Sequence, residues 1–159
     1  MSNGKVVLLR ATNSHLDLAR QAIAEVNLAT SHHRLPLDEI ALAEFLANPA
    51  HYLVLALEKE KVVGSLYGYA LRQPYRREPQ FLLYAIDVRL EYCNRGIGSA
   101  LVDEFIKEAK MANAAEIWVL TNESNRAAMA MYARSGLQRS SADDAMLSLT
   151  LPATQTNSN

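Results

Sequence analysis

One cysteine, Cys93, stands in a chain of 159 residues, so no internal disulfide can form and nothing requires an oxidising compartment. The opening stretch has no long hydrophobic run: Val6 to Leu9 is apolar and Arg10 ends it. That is too short for a signal-peptide core or a membrane span, so a cytoplasmic protein with no membrane partner is expected. Metal-ligand spacing is missing too. His15, His32, His33 and His51 form no HxxxH pair and there is no CxxC, so no metal is expected. Nor is there an excess of one charge. Residues 1–80 carry nine basic and eight acidic side chains, residues 81–159 seven and nine, and the net charge is −1. Neither half has the basic footprint of a nucleic-acid binder.

What is there reads as ordinary globular protein, with 50% apolar and 21% charged residues. Lys5 to Arg10 is strand-like. Asn13 or Ser14 suits the cap of a following helix, in which Leu16, Ala19, Ile23 and Val26 recur at helical spacing. Pro36 interrupts, and Asp38 suits the cap of a second helix bearing Leu42, Phe45 and Leu46. Tyr52 to Leu57 and Val62 to Leu71 flank the charged turn Glu58–Lys61 and read as an antiparallel hairpin. Phe81 to Val88 is apolar almost throughout, as in a central strand covered on both faces. A long amphipathic helix follows Gly98, with Leu101, Phe105 and Ala109 four apart. Glu116 to Leu120 is a strand. Asn125 to Arg134 is a helix stopped at Ser135-Gly136, and Leu147 to Leu151 suits a last strand. The order β-α-α-β-β-β-α-β-α-β predicts an α/β domain with a mixed sheet. The polar tail 153–159 has no apolar anchor and is expected to be disordered.

Arg95-Gly96-Ile97-Gly98 lies between a strand and a long helix. A helix start offers unpaired N–H groups and the positive end of the dipole, and glycine lets backbone approach a ligand closely. The loop therefore suits a phosphate or pyrophosphate. It is not a P-loop, because no Gly-Lys-Ser/Thr is present. It is not a dinucleotide fingerprint either, because the third glycine would fall at Leu101.

Cys93-Asn94-Arg95-Gly96-Ile97-Gly98 resembles the Gln/Arg-x-x-Gly-x-Gly/Ala motif of the GNAT family, the Gcn5-related N-acetyltransferases. Cys93 departs from the usual Gln or Arg. A second stretch, Asn125 to Tyr132 followed by Gly136-Leu137, is similar to the family's Asn-x-x-Ala-x-x-hydrophobic-Tyr signature. The two lie in family order, 27 residues apart (98 to 125). The resemblance implies a GNAT-like fold: a mixed, mostly antiparallel sheet flanked by helices, in a single acetyltransferase domain over residues 1–152. It implies direct transfer from acetyl-CoA to a primary amine. It assigns the pyrophosphate to the backbone N–H groups of Asn94, Arg95, Gly96, Ile97, Gly98 and Ser99. The pantetheine arm falls to the backbone of Ile86 and Val88, with the Val88 N–H as oxyanion donor, and to Asn125. Tyr132 becomes the candidate general acid. Asp87 and Glu91 are the candidate bases, since an ammonium group must lose a proton before attack.

The stretch Val62 to Val88 also looks like the aminoglycoside 3-N-acetyltransferase branch. That branch implies a carboxylate at Ala85. The acid here is Asp87, and residues i and i+2 of a strand share a face, although a bulge would break that pairing of faces. Tyr67 and Tyr69 share a face by the same alternation and suit the wall of an acceptor cleft. An aminoglycoside-type amine is therefore the expected acceptor. A protein N-terminus, a lysine or another small amine is the alternative, and a non-catalytic acetyl-CoA-binding regulatory module is a third reading. Many relatives are dimers, so a homodimer is in keeping with the resemblance, with the run Ala145–Leu151 as one contact segment.

Overall fold

The computed structural model describes residues 4–27, 36–141, 143 and 146–149. Five strands form one sheet whose spatial order is the chain order: β1 Val6–Arg10, β2 His51–Glu58, β3 Lys61–Leu71, β4 Gln80–Val88 and β5 Glu116–Val119. The first four strands pair antiparallel and β5 joins β4 in parallel. A parallel neighbour needs a crossover, and the amphipathic helix Ile97–Met111 supplies it. The hairpin between β2 and β3 turns on Lys59 and Glu60, both at positive φ (49° and 67°). Two left-handed residues in a two-residue loop match the twist of the flanking strands.

Helices cover both faces. On one side lie α1 Leu16–Ala22 and α2 Glu39–Ala47, over Leu53, Leu55 and Val62. On the other lie α3 Ile97–Met111 and α4 Arg126–Arg134. There Phe81 and Phe105 meet Tyr52 at ring separations of 4.8 and 6.2 Å, and Leu66, Leu83 and Leu101 complete the core. The expected cover on both faces of β4 is not found: Phe81 and Leu83 are buried against α3, whereas on the other face Leu82 is half-buried and Tyr84 exposed.

Several other expected details hold and two differ. Asp38 caps α2, its Oδ1 accepting from Ile40 N–H at 2.9 Å and Ala41 N–H at 3.0 Å. Asn125 caps α4, accepting from Ala128 N–H at 3.2 Å. The first helical segment instead opens one residue early, at Thr12. Its N–H donates to His15 Nδ1 at 3.1 Å, and a 3-10 turn, Asn13–His15, precedes α1. A reciprocal bond between Thr12 and His15 satisfies this start better than either neighbour alone. Of the expected last strand, Leu147 to Leu149 are irregular and exposed, and the rest lies outside the described residues. Among the described residues, no helix is long and apolar enough to cross a membrane.

Candidate active site

The sheet opens where the site is expected. β4 pairs with β5 only over Gln80–Leu83, while β4 itself continues to Val88. Residues 84–88 therefore have no β5 partner. On the other side the ladder to β3 continues, with Asp87 opposite Ser65 and Val88 opposite Gly64. Arg89 N–H donates to Val63 O at 2.9 Å. Antiparallel pairs alternate between bonded and non-bonded. This register makes Ile86 and Val88 the non-bonded members, so their N–H and C=O groups face the gap beside β5. An extended chain laid there would find a strand edge ready to pair.

The glycine loop closes one end of the gap. Asn94 and Gly96 have positive φ (60° and 77°), and Gly96 is the N-cap of α3. A Cβ at Gly96 would meet nothing within 4 Å, so the backbone there is open to close approach. The first-turn N–H groups of Ile97, Gly98 and Ser99 have no acceptor within the helix. Gly98 has a different reason to be glycine: a Cβ would lie 2.8 Å from Met131 Sδ, where α4 packs against the loop. Arg95 offers only its backbone. Its guanidinium pairs with Glu58 and lies 4.9 Å over the Tyr92 ring. Cys93 turns its sulfur toward backbone carbonyls, 3.5 Å from Arg89 O. These features fit a pyrophosphate at the loop and an extended arm beside β4.

On the opposite face of β4 lies a cavity of about 450 Å³. Phe45, Tyr67 and Tyr69 form its aromatic wall, and Asp38 and Asp87 supply its carboxylates. Tyr84 stacks on Tyr67 at 5.4 Å and is 60% exposed. Ala85 and Asp87 both line the cavity. The bulge falls at Tyr84, where Tyr67 pairs with Ala85 and Gly68 with Leu83. It therefore precedes the Ala85–Asp87 step and leaves those two on one face. Burial, with help from Tyr69, Tyr84 and Asp87, pushes the Tyr67 phenol up to about 12. Burial also pushes Tyr69 above its ordinary value.

Tyr132 is buried on α4. Burial, then the negative charge of Asp87, raises its pKa above the ordinary phenol value. A phenol so held keeps its proton at neutral pH and can give it to a stronger base. Asp87 on the cavity side and Tyr132 on the α4 side thus act on each other across the gap. Glu91 is not brought in: it is exposed on the turn Leu90–Tyr92, 4.0 Å from Lys61 Nζ. Glu123 pairs with Arg139 at 3.0 Å. His32 and His33 lie outside the described residues.

Two site residues escape the sequence motifs. Asn27 Nδ2 donates to Asp87 Oδ2 at 2.7 Å, and Ser65 Oγ donates to Asn27 Oδ1 at 2.9 Å. Their only sequence signal is a polar residue set among apolar ones, as Ser65 is in VVGSLYGYAL.

Residues 19–137 match the model of the acetyltransferase (GNAT) family. The chain belongs to the GNAT family and is an acetyl-CoA-dependent N-acetyltransferase. Among solved structures it is similar to the aminoglycoside acetyltransferase meta-AAC0020 from an uncultured soil metagenomic sample, in complex with trehalose. Identity there is 22%, the match covers 92% of this chain and 97% of that one, and the TM-score is 0.82. It is also similar to AAC(6')-Iy bound to a CoA-S-monomethyl-acetylneamine bisubstrate analog, at 15% identity, 94% and 99% coverage and a TM-score of 0.73. A third is the ribosomal-protein-alanine N-acetyltransferase from Brucella melitensis biovar Abortus 2308, at 15% identity, 92% and 100% coverage and a TM-score of 0.69. These likenesses establish the fold. No curated protein matches the sequence.

Proposed function

We propose that the chain acetylates a primary amine on a small ring-bearing molecule of the aminoglycoside type. The observation that carries this reading is the placement of Asp87, in an aromatic-walled cavity directly beside the open edge of β4. A ring face suits Phe45, Tyr67 and Tyr69, and an ammonium group suits a carboxylate beside aromatic faces. No lysine or arginine is among the described residues lining the cavity. Two structurally similar proteins, meta-AAC0020 and AAC(6')-Iy, support the aminoglycoside class, the first by its name and the second by its acetylneamine ligand.

Acetyl-CoA supplies a thioester carbonyl to the site. The N–H groups of residues 94–99 hold its pyrophosphate, with Ile86, Val88 and Asn125 aligning the arm. An alkyl ammonium has a pKa near ~10, so at neutral pH it must first lose a proton. Asp87 takes that proton, directly or through water, and passes it to solvent. As the N–C bond forms and the C–S bond breaks, the Val88 N–H donates to the carbonyl oxygen. Tyr132 gives its proton to the departing sulfur. The second proton of the amine leaves through Asp87 and solvent and restores the Tyr132 phenol.

Free-thiol release from acetyl-CoA, measured across aminoglycosides, simple amines and peptides with free N-termini, tests the reading. Turnover concentrated on aminoglycosides is expected. Turnover with peptides or simple amines alone would remove the aminoglycoside assignment. Coenzyme A binding without turnover on any amine would favour a regulatory module.

A further inference from the structure

The buried polar chain behind Asp87 has no place in either family motif. We propose that Asn27 is a positioning residue that fixes the Asp87 carboxylate, and that Ser65 anchors the far end of the Asn27 amide. The inference rests on the reading of Asp87 as the base.

An amide side chain has one accepting and one donating end. Ser65 is fully buried on β3 and stands opposite Asp87 in the ladder, so its hydroxyl is fixed in place. It donates to Asn27 Oδ1 at 2.9 Å. The carboxylate can only accept, so Asn27 presents Nδ2 to Asp87 Oδ2 at 2.7 Å, and the Ser65 bond holds the amide in that orientation. The polarity runs one way, hydroxyl to amide to carboxylate. A carboxylate torsion is otherwise broad, and a bond to one oxygen narrows it.

The backbone that delivers Asn27 is unusual. Residues Ile23–Asn27 form a π-helical turn after α1. Such turns recur at functional sites, because the wider turn redirects the side chains that follow. Both the turn and the end of α1 before it are tied to the sheet. Gln21 Oε1 accepts from Val62 N–H at 2.8 Å. Arg89 bridges the turn to the sheet, pairing with Glu25 while its Nε donates to Val62 O at 2.7 Å. Asn27 therefore reaches Asp87 from a held backbone. Burying Ser and Asn inside an apolar layer costs stability that apolar side chains of like shape would not. The arrangement makes sense as a device for aiming Asp87.

A double-mutant cycle on the full chain separates positioning from structural support. Asn27→Ala, Asp87→Ala and the double variant are assayed for thiol release with the panel amine of highest turnover. Thermal midpoints are recorded alongside. Asn27→Ala should lower kcat about 10- to 100-fold, a share of what a proton-transfer group contributes. KM for acetyl-CoA should stay within about twofold, since Asn27 acts on the acceptor side. In the Asp87→Ala background the same substitution should have no further effect. Ser65→Ala, which removes only one hydroxyl, should show a smaller loss that also vanishes without Asp87, and it decides the matter if Asn27→Ala fails to fold. An Asn27 or Ser65 effect of equal size in both backgrounds would overturn the proposal and leave Asp87 as base. Full activity in Asp87→Ala would overturn the base assignment, and this proposal with it.

Discussion

Tyr132 is held protonated by its surroundings, and its chemistry follows from that. Burial and the Asp87 charge both raise its pKa, so in the proposed mechanism a phenol rather than a phenolate meets the departing sulfur. Tyr132→Phe keeps the ring and its packing and removes the proton. It should lower kcat about 10- to 100-fold and leave coenzyme A binding, read by calorimetric titration, nearly unchanged. Tyr67 gives a second test at this scale. Its pKa is pushed to about 12, mainly by burial. The folded chain then holds a proton that the unfolded chain releases near pH ~10. Its contribution to stability is thus complete below pH ~10 and is lost as pH rises toward 12. Phenolate absorbance during an alkaline titration should show a late component to which Tyr69 and Tyr132 also contribute, and Tyr67→Phe should remove one phenol from its most alkaline part. Asp87 was legible in the sequence because a pleat repeats every two residues and the bulge at Tyr84 falls before Ala85. Glu91 was the second candidate base. A 3-10 turn points it at Lys61 instead, and spacing alone does not show a turn's direction. Asn27 was illegible, because a π-turn has no residue pattern that separates it from the end of an α-helix.

At the level of elements, the gap between β4 and β5 makes the site, and packing against α3 shapes its β3 side. Gly68 stands at the bulge, where a Cβ would lie 2.3 Å from Leu82 O and 2.6 Å from Phe105 Cζ. The backbone oxygen cannot yield as a flexible side chain would. Gly68→Ala should therefore destabilise the fold by about 1–3 kcal/mol, the ordinary cost of overpacking, as a lower midpoint in urea. A mere propensity effect would instead favour alanine over glycine in a strand. The helix caps at Asp38 and Asn125 could be read from sequence because each cap is a local bond between neighbours. The strand expected at Leu147–Leu151 rested on local composition, and a strand also needs a partner edge, which the described residues 147–149 do not use.

For the molecule as a whole, the proposed reaction divides between the two faces of the sheet. In the proposed reaction the glycine loop, Ile86, Val88 and α4 serve the acyl donor. Tyr67, Tyr69 and Phe45 wall the cavity on the other face. Asp87 lines that cavity, and its charge is felt at Tyr132 on the other side. The fold, the glycine loop and the Asn125 cap were legible because a motif of glycines and caps is local in sequence. The cavity is assembled from the turn after α1, from α2 and from β2, β3 and β4, and only its aromatic alternation and Asp87 showed beforehand. The most direct test of this division is a single-turnover measurement of acetyl transfer by Asp87→Ala, paired with its affinity for acetyl-CoA. The account predicts unchanged affinity and a transfer step slowed at least about 100-fold. Transfer at the wild-type rate, or loss of acetyl-CoA binding, would contradict it.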